Sequence, residues 1–154
     1  MKKQFIVASI LFASLLASCS SSSFKDDIKM FRNDYSGKWV ETYCESKTSS
    51  KKISCMAVSV SNLGEKAYSF YPSEFSVNDN GTSYTCISFL KSKEFSSDPY
   101  TGKVEGYITE TINEASLEPN TGYALNIELC FDATLSENAS LTYVNKDTKE
   151  SISF

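Results

Sequence analysis

Tyr123-Ala124-Leu125-Asn126-Ile127-Glu128-Leu129-Cys130-Phe131 alternates apolar and other residues without a break. Successive side chains of an extended strand point to opposite faces, so Tyr123, Leu125, Ile127, Leu129 and Phe131 share one face and Ala124, Asn126, Glu128 and Cys130 the other. The pattern predicts a strand with one face on a core and one in water, as in an antiparallel sheet.

The same reading extends in both directions. Before it, Leu117-Glu118-Pro119-Asn120-Thr121-Gly122 reads as a turn, and residues 103–112 as a strand in which Gly106 marks a bulge. Residues 92–102, with Ser96-Ser97-Asp98-Pro99 and Thr101-Gly102, read as a loop. Residues 83–91 form one strand, with Ile87 and Phe89 opposite Tyr84, Cys86, Ser88 and Leu90. Asn78-Asp79-Asn80-Gly81 is a hairpin turn, because Asn and Gly accept positive φ cheaply. Residues 68–77 are an aromatic-rich strand segment. Residues 53–62 alternate Met56, Val58 and Val60 with Ala57, Ser59 and Ser61, and residues 38–45 open the sheet. Beyond the first stretch, residues 141–145 and 150–154 are strands joined by Lys146-Asp147-Thr148-Lys149. Seven to nine short strands with no long helix after residue 35 predict an all-β fold, an antiparallel sandwich.

The N-terminus follows different rules. Lys2 and Lys3 precede an uncharged run over residues 5–16 that ends in Leu16-Ala17-Ser18-Cys19, the pattern of a cleaved secretory signal. The run is too short for a spanning helix, which needs about 20 apolar residues. Its ending resembles the lipobox of bacterial lipoproteins. That resemblance implies cleavage before Cys19, a diacylglyceryl group on its thiol and acylation of the new amino terminus; several acyl chains hold far more firmly than one. The alternative is an ordinary signal that happens to contain a cysteine. The expected organisation is a signal peptide over residues 1–18, a lipid-anchored tether over 19–37 and one domain over 38–154. Within the tether, Phe24, Ile28 and Phe31 fall at helical spacing and allow a short amphipathic turn. In a bacterium with two membranes, Ser20 after Cys19 implies export to the outer membrane.

Composition narrows the function. The chain carries 15 basic and 19 acidic residues; without Lys2 and Lys3 the balance is thirteen to nineteen, a net charge of −6 instead of −4. A mildly acidic domain does not suit nucleic acid or a polybasic membrane face. Histidine is absent, which removes the commonest general base and metal ligand and any Ser-His-Asp or Cys-His nucleophile. Glu110, Glu114 and Glu118 are scattered, with no paired-carboxylate spacing, so no catalytic residue, cofactor or metal is expected. Asn78-Asp79-Asn80-Gly81 echoes part of a calcium loop but lacks its distal glutamate.

Cys44, Cys55, Cys86 and Cys130 are an even number in an exported chain, and two disulfides are expected. Cys44–Cys55 with Cys86–Cys130 is one pairing, and Cys55–Cys130 with Cys44–Cys86 the other. A four-cysteine zinc site is a further alternative, although no C-x₂₋₄-C knuckle is present.

Residues 56–66 (Met56-Ala57-Val58-Ser59-Val60-Ser61-Asn62-Leu63-Gly64-Glu65-Lys66), 75–84, Leu117-Glu118-Pro119-Asn120, the 123–131 strand and Leu141-Thr142-Tyr143 together resemble the immunoglobulin-like domain of small secreted bacterial lipoproteins. Such domains are catalogued as of unknown function and likened to telokin and to a secreted mycobacterial immunoprotective antigen. The resemblance covers residues 39–154 and implies an immunoglobulin-like sandwich. Asn120-Thr121 departs from the family's glycine and acidic residue.

The expected function is a non-enzymatic envelope module, attached to the membrane through Cys19 and binding a protein or envelope component. A surface-exposed hydrolase inhibitor or host-facing antigen is the alternative, separable by surface proteolysis of intact cells. Among the aromatics Tyr68, Phe70, Tyr71 and Phe75, most are expected in the core. Tyr68, Tyr71 and Pro72 are the candidate binding patch, with Trp39 packed at the sandwich edge.

Overall fold

In the computed structural model, which describes residues 22–33, 40–119 and 122–154, nearly every alternating stretch pairs into a sheet. One helical turn, α1 (Phe24–Asp27), is followed by β1 (Ile28–Arg32), β2 (Val40–Cys44), β3 (Lys52–Asn62), β4 (Tyr68–Phe70), a 3-10 turn (Pro72–Glu74), β5 (Phe75–Asp79) and β6 (Thr82–Thr85). Then come β7 (Ser88–Ser97), β8 (Val104–Ile112), β9 (Ala115–Leu117), β10 (Leu125–Phe131), β11 (Ser140–Val144) and β12 (Ser151–Ser153). The signal segment with Cys19 and Ser20, Trp39 and Asn120-Thr121 lie outside the described residues.

The expected all-β sandwich is present. A six-stranded sheet, β1-β3-β10-β7-β8-β2, packs on a four-stranded one, β12-β11-β5-β6, with β4-β9 as a small ribbon. Met56, Val58 and Val60 of β3 and Ile127, Leu129 and Phe131 of β10 face Phe75, Val77, Leu141 and Tyr143 of the second sheet, and all are buried. Aromatic rings fill the centre: Tyr143 lies 4.8 Å from Phe75, 5.4 Å from Phe24 and 5.8 Å from Phe70, centroid to centroid.

Among the described residues twelve strands form where seven to nine were expected, and three departures from the expected boundaries stand out. First, residues 24–32 are not tether. Phe24, Ile28 and Met30 are buried, β1 pairs with β3 from Ile28↔Asn62 to Arg32↔Val58, and the Phe24 amide donates to Glu150 at 3.1 Å. The helical spacing of Phe24, Ile28 and Phe31 is not the one the fold uses: in β1 the inward alternation is Ile28 and Met30, and Phe31, on the other face, is exposed. Second, residues 83–91 are not one strand: the chain changes sheet at Cys86-Ile87. The Cys86 amide donates to Phe75 O in the small sheet and the Ile87 amide to Cys130 O in the large one. Third, residues 92–97 are not loop but the outer half of β7, held by β8 through Ser97↔Val104.

The large sheet also curls on itself. Along one edge β3 carries β1 at its end and β2 at its start, and β2 meets β8 through the parallel pair Cys44↔Tyr107. Strands β3, β10, β7, β8 and β2 therefore form a ring. Its inside holds a second core of Tyr43, Ile53, Cys55 and Cys130, with Leu90 and Ile108 against it. The far face of β10, expected in water, is thus dry at Cys130.

Candidate binding surface and the buried cysteine pair

The β5–β6 turn shows how local chemistry sets the frame. Asn80 and Gly81 have φ of 51° and 85°, a two-residue turn of the primed kind between Asp79↔Thr82. The Asp79 carboxylate accepts from the amide and hydroxyl of Ser136 at 2.9 and 2.6 Å, which holds it below the usual carboxylate range.

The sequence-derived patch does not come together as a surface. Tyr68 is half-buried: its ring meets Phe24 edge-on at 5.3 Å and its hydroxyl donates to Asp27 at 2.9 Å. Burial, then that hydrogen bond, pushes the Tyr68 phenol up to about 12. Pro72 is buried at the start of the 3-10 turn. Tyr71 is partly covered by Lys146, whose ammonium sits 3.7 Å from the ring centroid. These residues pack the domain because the chain folds back through Glu74, whose carboxylate accepts the Tyr71 and Lys146 amides at 2.9 Å each.

Exposed apolar side chains gather instead on the β7–β8 hairpin. Tyr100 is 96% exposed, Val104 63% and Phe95 60%. The register fixes their relation: Phe95 faces Gly106 and Ser97 faces Val104, so Phe95 and Val104 are diagonal neighbours on one face. Tyr100 stands in water on the hydrogen-bonded turn that joins the two strands. The Asp98 carboxylate accepts from the Tyr100 and Thr101 amides at 2.8 and 3.3 Å, the Gly102 amide donates to Asp98 O, and the Asp98 amide to Lys103 O. Lys103 and the Tyr107 hydroxyl both donate to Glu105 at 2.7 Å, holding its carboxyl below the usual range. Read as loop, this segment offered no signal beyond Tyr100 beside Pro99; what makes it a platform is its pairing with β8, which starts at Val104 just across the turn.

At the hairpin's root Lys93 closes the second core. Its ammonium donates to the Tyr43 hydroxyl at 2.8 Å and lies 3.2 Å from Glu128 and 3.4 Å from Glu41. Burial lowers its pKa, but the two carboxylates outweigh that and hold it above the ordinary lysine value. Below it, the Cys55 and Cys130 sulfurs are 3.1 Å apart, and all four of Cys44, Cys55, Cys86 and Cys130 are buried thiols. The hydrogen bond to Cys130, then burial, pushes the Cys55 thiol far up; burial pushes that of Cys86 up to about 12. The Cys44 sulfur accepts from Lys52 at 3.3 Å.

Glu110 pairs with Lys91 at 2.6 Å and Glu114 accepts from Tyr71 at 3.3 Å. Among the described residues no three His, Cys, Asp or Glu side chains are grouped to hold a metal ion.

No family model matches the sequence, the immunoglobulin-like one included, and no curated protein matches it. Among solved structures, a crystal structure described as that of a lipoprotein (ycdA) from Bacillus subtilis is 17% identical with a TM-score of 0.42, covering 84% of this chain and 36% of that one. The present chain thus spans about a third of that protein's length. A likeness of this degree assigns neither family nor function.

Proposed function

We propose that this is a non-catalytic binding module of the bacterial cell envelope, anchored through lipid on Cys19 and engaging a protein or envelope partner with the tip of the β7–β8 hairpin. The observation that carries the reading is that Phe95, Tyr100 and Val104, three large apolar side chains at or beside one hydrogen-bonded turn, are left in water while Tyr43, Phe75, Phe89, Phe131 and Tyr143 are packed inside. Aromatic anchors on a pre-ordered backbone bind at low entropic cost. The signal pattern ending in Leu16-Ala17-Ser18-Cys19 supports the anchor, and Ser20 supports the outer membrane where the organism has one.

Affinity capture from solubilised envelopes tests the binding face. The wild-type protein should retain a partner that a Phe95→Ser/Tyr100→Ala/Val104→Ser variant loses, with unchanged thermal unfolding. Equal capture by both would overturn the hairpin assignment. Separately, Cys19→Ser should move the folded protein from the membrane pellet to the soluble fraction; a variant that still pellets would place the anchor elsewhere.

A further inference from the structure

We propose that Cys55 and Cys130 form the one disulfide of the domain, and that Cys44 and Cys86 stay as thiols. The inference rests on the exported reading for its oxidising surroundings. Its geometry is independent of that reading.

Cys55 and Cys130 are direct partners across β3 and β10. The Ser54 amide reaches towards the β10 chain, to Ala133 O, so the backbone groups of its neighbour Cys55 point the other way, towards β2. Cys130 O accepts from Ile87 on the β7 side. The two residues therefore turn their amides away from each other, the non-hydrogen-bonded kind of antiparallel pair, with Cα atoms about 4.5 Å apart and side chains closest. That separation lies inside the range a disulfide spans, about 4.4–6.8 Å. Both side chains point into the second core, and their sulfurs at 3.1 Å already touch.

The other pairings fail on the same grounds. Cys44 partners Lys52 while Cys55 partners Glu41, three residues away along adjacent strands, and Cys55 points into the ring whereas Cys44 belongs to neither core cluster. Cys86 lies in the main core, with its thiol donating to Ser88 O at 3.2 Å, on the opposite face from Cys130. Cys44 and Cys86 are separated by β3 and β10, three strand steps or roughly 14 Å through the sheet. Around the other side of the ring, Cys44 meets Tyr107 and Tyr107 meets Glu94, eight residues along the chain from Cys86.

The oxidant is a disulfide, either of a thiol–disulfide oxidoreductase or of oxidised glutathione. The thiolate of one cysteine attacks it, releasing one reduced thiol and leaving a mixed disulfide; the second thiolate then displaces the other. Two protons and two electrons leave the protein, and the oxidant becomes two thiols. With Cys55 2% and Cys130 0% exposed, this exchange belongs to folding, before β3 and β10 close over the sulfurs.

The test uses the full-length protein isolated from the envelope fraction, alkylated under denaturing conditions without reduction, digested and mapped by mass. A single cross-link between the Cys55 and Cys130 peptides is expected, with Cys44 and Cys86 alkylated. A cross-link containing Cys44 or Cys86 overturns the proposal. If the protein is absent from the envelope fraction, the localisation reading fails, and refolding in a glutathione buffer decides the pairing alone: four alkylated cysteines after refolding overturn it. A thermal readout guards against misfolded variants. Reductant should lower Tm of the wild type and of Cys44→Ala/Cys86→Ala by roughly 10 °C and leave Cys55→Ala/Cys130→Ala unmoved. An equal response of all three overturns it.

Discussion

Gly106 lies against the ring of Tyr43 so closely that a Cβ at position 106 would stand 2.2 Å from Cδ1 and 2.4 Å from Cε1. Tyr43 is the largest side chain of the second core, and β8 can close the ring only because residue 106 leaves room for it. Gly106→Ala should cost about 1–3 kcal/mol by overpacking, because a buried ring cannot step aside. Urea unfolding measures it. In a double-mutant cycle with Tyr43→Leu, the two losses should be non-additive by more than about 0.5 kcal/mol, since the smaller side chain frees the space.

Gly81 tests a different physical effect. Nothing lies within 4 Å of a Cβ placed there, yet its φ is +85°. Gly81→Ala should therefore destabilise through backbone strain alone, by about 1–2 kcal/mol. Equilibrium unfolding should detect that loss while the spectrum of the folded state stays unchanged.

Lys93 sits between Glu41, Glu128 and the Tyr43 hydroxyl. Its side chain is 27% exposed, so solvent screens the ion pairs only in part. Lys93→Met should lower stability by roughly 1 kcal/mol at low salt. The difference from wild type should shrink in about 1 M salt, where the Debye length falls to about 3 Å.

The Tyr68 phenol titrates near 10.0 when free and is held up to about 12 in the folded protein, by burial first and by Asp27 second. The folded state thus keeps a proton that the unfolded chain gives up. This contribution is complete below about pH 10 and declines as pH rises towards 12. Tyr68→Phe should flatten the fall of urea midpoints over that window. Tyr143, raised by burial, remains to give the variant a residual slope.

The sandwich and its central strands were legible because Met56, Val58 and Val60 and then Ile127, Leu129 and Phe131 write the two-residue period directly. The Asn80-Gly81 turn was legible because its residues accept positive φ. The ring was not, since it depends on one parallel contact between Cys44 and Tyr107, whose local sequences carry no mark of each other. Gly106 signalled something unusual, but a bulge and a site of close approach look alike in sequence. The exposure of the aromatics was misjudged for a related reason: Tyr68 and Pro72 look exposed until α1 and the 3-10 turn cover them, whereas Phe95 sits among serines and charges that suggest a loop.

One topological fact bears on how the molecule is made. Strand β10, residues 125–131, lies between β3 and β7, which precede it in the chain by dozens of residues. A ribosome delivers the polypeptide from its N-terminus, so β3 and β7 emerge with no strand between them and the apolar face they share stays open. Assembly of the large sheet waits for Phe131, and contacts that distant in sequence form slowly. The order of strands thus lets the β5–β6 and β7–β8 hairpins pair early and defers closure of the large sheet until β10 has been made.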